Sequence, residues 1–187
     1  MESKAKLASM RRFLLIMSED ARAAGYKSKF SVVKAIFLDA GFFSVILYRF
    51  QSYFSRPGFY LFAKIISRLN LFLNGCDFVV GSKIGPGMVI RHPVGIVIGN
   101  KVICGSGLAL MHGVTLGQKS FHSSKVQVTA NPFLGDDVKI GVSAILLGGI
   151  KVGSRVTIAA GTLVSSDVPS DSFVFGNPQR VIDKFGD

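Results

Sequence analysis

Leu134-Gly135-Asp136-Asp137-Val138-Lys139-Ile140-Gly141-Val142-Ser143-Ala144-Ile145-Leu146 decides the fold, because an aliphatic residue returns every six positions, often with glycine or another small residue behind it. The beat continues through Val152, Ile158 and Val164, and upstream it runs through Ile84, Ile90, Ile96, Val102, Leu108 and Val114. A six-residue period matches neither the repeat of a helical face nor the simple alternation of an isolated strand. It describes a wound sheet. Each hexad supplies a short strand and a turn, the aliphatic side chain points inward, the small residue lets the backbone turn, and stacked coils cover each other's edges. Three hexads close a triangular coil of about 18 residues, so roughly four coils are expected. The fold class is mainly β, a parallel β-helix behind an α-helical segment.

With 187 residues, 49% of them hydrophobic, the chain can build one sizeable core plus an appendage. Residues 1–75 are the appendage, poor in glycine and rich in aromatics, and read as an α-helical domain. Helices are expected over Lys4–Ala24, Ser31–Tyr53 and Gly58–Leu73, the last stopping at Asn74-Gly75. The β-helix occupies 76–169. An excursion loop over 117–133 interrupts it with Lys, Ser, His and Gln, and such loops on rigid scaffolds tend to wall sites. A tail, 170–187, leaves the coils.

The apolar stretch Phe30–Phe54 is broken by Lys34, Asp39 and Arg49, so it lacks the run of about 18 apolar residues that a membrane span needs. Two uses remain for these helices. They bury faces against one another and sister subunits, or Phe42, Phe43, Tyr48, Phe50 and Tyr53 with Arg49, Arg56, Lys64 and Arg68 make a peripheral membrane contact. A net charge of +11 calls for an acidic partner. No nucleic-acid-binding motif accompanies the scattered basic residues, which leaves coenzyme phosphates, anionic lipid head groups or an acidic glycan. Cys76 and Cys104 offer no disulfide framework, and the apolar run Phe13–Met17 is too short for a signal-peptide core. A cytoplasmic location is expected, with the inner face of the membrane left open.

Three histidines carry the candidate chemistry. At 18 residues per coil His92 stacks near Leu110 rather than onto a second ligand, and His122 belongs to the loop, so no metal is expected. His92 lies two residues after the inward Ile90, at a turn where it can face outward and take a proton from an acceptor hydroxyl during acyl transfer. His112 tends to face the coil interior as a hydrogen-bonded imidazole, with substrate contact as the alternative. His122 either touches substrate or sees solvent.

The order Phe72-Leu73-Asn74-Gly75-Cys76-Asp77, Ser82-Lys83-Ile84-Gly85-Pro86-Gly87, His92 with Gly95-Ile96-Val97-Ile98-Gly99, and Gly113-Val114-Thr115-Leu116-Gly117 resembles the serine O-acetyltransferases. It is also similar to hexapeptide-repeat O-acetyltransferases of bacterial surface-polysaccharide clusters, including colanic-acid acetyltransferases. Ser18-Glu19-Asp20-Ala21-Arg22-Ala23 extends the resemblance into the amino-terminal helices. The resemblance implies a left-handed coil, a homotrimer whose site is shared between neighbours, and acetyl-CoA as donor in the groove between them. It makes His92 the general base and Asp77 the carboxylate that orients it. Gly117, Ala144, Ala160, Gly161, Pro178 and Arg180 match coenzyme-binding positions, and Arg180, Lys151 or Arg155 could offset phosphate charge.

Departures bear on the acceptor. Where serine-specific members carry an aspartate before the catalytic histidine, this chain has Arg91; where they carry Arg-His before a proline, it has Ala130-Asn131-Pro132; and their helical-domain Asp-Pro has no counterpart near Ala24-Gly25. Val79-Val80 replaces the His-Pro that usually follows the acidic partner. These absences disfavour free serine and point, with Arg91, His112, His122 and Asn131 as acceptor contacts, to a sugar hydroxyl in surface-polysaccharide biosynthesis. Serine O-acetylation for cysteine biosynthesis is the alternative.

Overall fold

The computed structural model describes residues 2–119 and 130–184. Four helices come first: α1 (Glu2–Ala23), α2 (Lys29–Leu38), α3 (Ala40–Phe54) and α4 (Tyr60–Asn74). The single helix expected over Ser31–Tyr53 is thus two, bent by 99° at Asp39. Asp39 has extended backbone and its carboxylate accepts the Phe42 N–H at 3.0 Å, so it satisfies an orphan donor at the start of α3 instead of continuing α2. α4 stops where expected, with Gly75 left-handed at φ 69° as its cap.

Strands β1 (Asp77–Phe78), β2 (Lys83–Ile84) and β3 (Val89–Ile90) make the first coil. The second is β4 (Val97–Ile98), β5 (Ile103–Cys104) and β6 (Ala109–Leu110). The third is β7 (Thr115–Gly117), β8 (Phe133–Leu134) and β9 (Lys139–Ile140), and the fourth β10 (Ile145–Leu147), β11 (Lys151–Val152) and β12 (Thr157–Ile158). β13 (Leu163–Val164) and β14 (Ser172–Phe175) begin a fifth, and β15 (Arg180–Asp183) folds back antiparallel on β14. The coils stack into three parallel sheets: β1-β4-β7-β10-β13, β2-β5-β8-β11 and β3-β6-β9-β12-β14. This is the left-handed parallel β-helix. The first part of the expected tail stays within it, because β14 extends the third sheet beneath β12.

Every aliphatic of the hexad series is buried, yet the register is not uniform. Leu134 pairs with Val152 and Ile140 with Ile158, 18 residues apart, whereas Ile84 pairs with Cys104 and Ile90 with Leu110, 20 apart. Each hexad has two inward positions, one in the strand and one at the corner two residues earlier, as in Ile96 and Ile98 or Leu108 and Leu110, all buried. Ile90 and Ile96 are six residues apart but occupy different positions; the strand equivalent of Ile90 is Ile98. Two additional residues therefore sit in the corner Arg91–Gly95. Apolarity cannot reveal this slip, since both frames are apolar.

The helices dock on the first coil through buried polar contacts. Arg49 pairs with Asp20 at 2.7 Å and donates to the carbonyls of Ile84 and Gly85 at 2.6 Å, and Asp20 accepts the Met88 N–H at 2.9 Å. The Tyr48 hydroxyl donates to Ser82 O and accepts from Ile84 N–H, while Gln51 and Ser67 both donate to Phe78 O. Of the peripheral-contact surface named from sequence, Phe42, Tyr48 and Arg49 are buried and Phe43 and Tyr53 half-buried, whereas Phe50, Arg56, Lys64 and Arg68 are exposed. Exposed apolar side chains lie also on α2 (Phe30, Phe37) and α4 (Leu61, Phe72). Among the described residues no single helix is long and apolar enough to cross a membrane.

Candidate active site

The 20-residue first coil bulges at the corner between the third and first sheets, and His92 stands on that bulge with its side chain exposed. Its backbone is left-handed at φ 57°, a conformation shared with Asp137, Ser143, Arg155 and Asp171 at other corners. Corner geometry, rather than chemistry at His92, accounts for it. The added residues correct the expected stacking: Ile90 lies over Leu110, and His92 lies over His112, ring centroids 6.1 Å apart and interplanar angle 74°. His112 is half-buried at the corner rather than inside the coil, and its Nδ1 is buried without a hydrogen-bond partner among the described residues. The expected hydrogen-bonded interior imidazole is therefore not what the structure holds. Two histidines make a pair, not a metal cage, and among the described residues no three His, Cys, Asp or Glu side chains converge.

Asp77 reaches the same edge through three contacts that stitch its segment to the bulge. Gly95 N–H donates to Gly75 O at 3.0 Å, Cys76 Sγ donates to Pro93 O at 3.0 Å, and Asp77 N–H donates to Ile96 O at 2.8 Å. Phe78 points inward with complete burial, so the half-buried Asp77 beside it faces out. No hydrogen bond joins the Asp77 carboxylate to His92 among the described residues. Both thiols are excluded as nucleophiles, since burial pushes Cys76 up to about 11 and Cys104 up to about 12.

Along the coils the edge below His92 stays smooth. At that corner a Cβ at Gly161 would meet nothing within 4 Å and Ala160 is exposed, and at the far end of the first sheet a Cβ at Gly117 would likewise meet nothing within 4 Å among the described residues. These positions leave backbone accessible to a long thin ligand. Ala144 does not: it is fully buried, its N–H donates to Gly141 O and its carbonyl accepts the Thr115 N–H. Pro178 and Arg180 are exposed in the β14–β15 turn, which Gln179 ties back to the N–H groups of Ser165 and Ser166. Lys151 and Arg155 lie on the second sheet and on the corner between the second and third sheets, away from the His92 edge, and Arg155 is paired with Asp171 at 2.6 Å. Asn131 is half-buried with its amide oxygen close to Gly99, and His122 lies outside the described residues.

A contact sequence reading missed is at the α2–α3 elbow. The Tyr26 hydroxyl donates to Asp39 at 2.5 Å, and that bond, then burial and the Asp39 charge, raise the Tyr26 phenol above its usual range while Arg91 works in the opposite sense. The N-cap signal Asp-Ala-Gly at 39–41 is the feature that could have located it.

An exposed imidazole on a bulged coil, beside an outward carboxylate and above a smooth backbone edge, defines an acyltransferase of the hexapeptide-repeat class. The family model "Bacterial transferase hexapeptide (six repeats)" matches residues 131–166. Across 169 residues the chain is 34% identical to a serine acetyltransferase of Helicobacter pylori, covering 90% of this chain and 93% of that one. It is 35% identical over 146 residues to the serine acetyltransferase of Synechococcus elongatus, covering 78% and 58%. Among solved structures, the serine acetyltransferase of Neisseria gonorrhoeae superposes with TM-score 0.79 at 26% identity over 91% of this chain and 66% of that one. Soybean serine acetyltransferase complexed with serine gives TM-score 0.79 at 28% identity, covering 91% and 69%. The chain belongs to the serine acetyltransferase family.

These relatives overturn the polysaccharide reading and its glycan acceptor, which rested on missing serine-binding residues judged one position at a time.

Proposed function

We propose that the chain transfers the acetyl group of acetyl-CoA to the hydroxyl of L-serine. The observation that carries this reading is the match to a serine acetyltransferase over nearly the whole of both chains. His92 takes the proton from the serine hydroxyl as its oxygen attacks the thioester carbonyl, and the imidazolium returns that proton to the departing sulfur, so the products are O-acetylserine and the free thiol. Asp77 orients and stabilises the imidazolium across the stitched edge. The open positions Gly117, Ala160 and Gly161 suit the donor's pantetheine arm, and Arg180 suits its phosphates.

A second copy completes the groove in a homotrimer. What supports this is the row of exposed apolar side chains on the outer faces of the first two sheets, Val97 and Ile145 on one and Ile103 and Phe133 on the other. The test is thiol release from acetyl-CoA with and without L-serine. Serine-dependent release is expected, falling about 10²- to 10⁴-fold in His92→Ala with the fold intact; no serine-dependent release by the native chain would sink the reading.

A further inference from the structure

Asp39 and Arg91 come from distant parts of the chain, and the start of α3 brings Asp39 against Ile90, the residue before Arg91 and two before His92. Gly41, buried at the start of α3, lies so close to the end of β3 that a Cβ there would fall 2.2 Å from Ile90 O and 3.2 Å from Asp39 Oδ1. The Asp39 carboxylate is thereby held at the backbone that leads directly into Arg91 and His92. Arg91 is exposed, and its charge reaches the Tyr26 hydroxyl that Asp39 binds. Arg91 forms no ion pair among the described residues. Each Asp39 oxygen already accepts one bond, from Phe42 N–H and from Tyr26, and a carboxylate has lone pairs for further donors. The Tyr26 and Phe42 bonds also fix its orientation.

We propose that this pair reads the acceptor's zwitterion: Arg91 binds the amino-acid carboxylate and Asp39 its ammonium, which turns the hydroxyl towards His92. The assignment rests on the serine-acetylation reading above. It supplies both charges that serine requires, with the cation at Arg91, where serine-specific members carry an aspartate, and the anion at Asp39, which the resemblance does not point to. A planar guanidinium is suited to a carboxylate through two parallel bonds, and discrimination follows because an acceptor lacking either charge leaves one of the pair unmatched.

Steady-state kinetics of the full chain with L-serine, L-serine methyl ester, which lacks the carboxylate, and 3-hydroxypropanoate, which lacks the ammonium, test it. Arg91→Gln should raise KM for L-serine about ten-fold or more with kcat unchanged, and leave kcat/KM for the ester as in the native chain. Asp39→Asn, which keeps an oxygen to cap α3, should weaken serine and the ester and leave 3-hydroxypropanoate unaffected. Equal losses on serine and ester in Arg91→Gln would overturn the assignment. If Asp39→Asn does not fold, that contrast decides alone. A native chain inactive on serine defeats the proposed function, and this assignment with it, whereas losses without ligand selectivity in the variants defeat only the assignment.

Discussion

Two corners of the same coil are built from similar repeats and end in opposite states. Between the second and third sheets, side chains climb the backbone as a ladder: Asp136 accepts from Ser106 N–H at 2.7 Å, Ser154 Oγ from Asp136 N–H and Ser170 Oγ from Ser154 N–H, each at 3.0 Å, and Arg155 pairs with Asp171. Between the third and first sheets the backbone bonds persist, as Gly113 N–H to Val94 O and Ser143 N–H to His112 O, but the side chains are left open. Arg91, His92 and Val94 are exposed there and His112 Nδ1 has no partner. Buried polar groups are normally satisfied, so the unpartnered His112 Nδ1 sets this corner apart from the laddered one and fits the proposed acceptor site.

The largest expected effect lies where the completed corner meets the helices. Arg49→Ala leaves the buried Asp20 carboxylate without its cation and removes donors to Ile84 O and Gly85 O. A loss of about 3–5 kcal/mol in urea denaturation is expected, and a loss below about 1 kcal/mol would break the view of this pair as the clasp between helices and coil.

Next come two glycines, one at each corner. A Cβ on Gly105 would fall 2.3 Å from Asp136 Oδ1 and 2.8 Å from Gly135 backbone, so Gly105→Ala should cost about 1–3 kcal/mol and spare KM for both substrates. Gly161 has open space, and its left-handed φ of 67° makes Gly161→Ala cost about 1 kcal/mol. That variant should instead raise KM for acetyl-CoA, and an unchanged KM would remove Gly161 from the donor path.

The smallest effect is at Asp171. The hydrogen bond from Arg155 holds its carboxyl below the usual 3.8, so its contribution is present above that value and is lost as pH falls through the lowered one. Both side chains reach solvent, so Asp171→Asn should be indistinguishable from the native chain in thermal unfolding at neutral pH. A resolvable destabilisation would show that the ladder acts as a network.

The hexads were legible because apolar side chains at a fixed period have one way to leave water together, and the glycine after α4 announced its end for the same local reason. His92 and Asp77 were legible as candidates from their place in an ordered motif. The break at Asp39 was not, since within an apolar stretch a single acid reads equally as an interruption or a cap. Arg49 read as a surface charge because its partner Asp20 is 29 residues away in the chain.

By itself, then, the sequence determined that this chain winds into a coil, where its helices stop and start to within one break, and what chemistry one histidine could perform. Only the tertiary structure decided the register of the first coil, because both inward frames are equally apolar and hydrogen bonding between coils selects one. It also decided which charges are clasps and which face a ligand, because burial and pairing are properties of neighbours that the chain brings together only on folding.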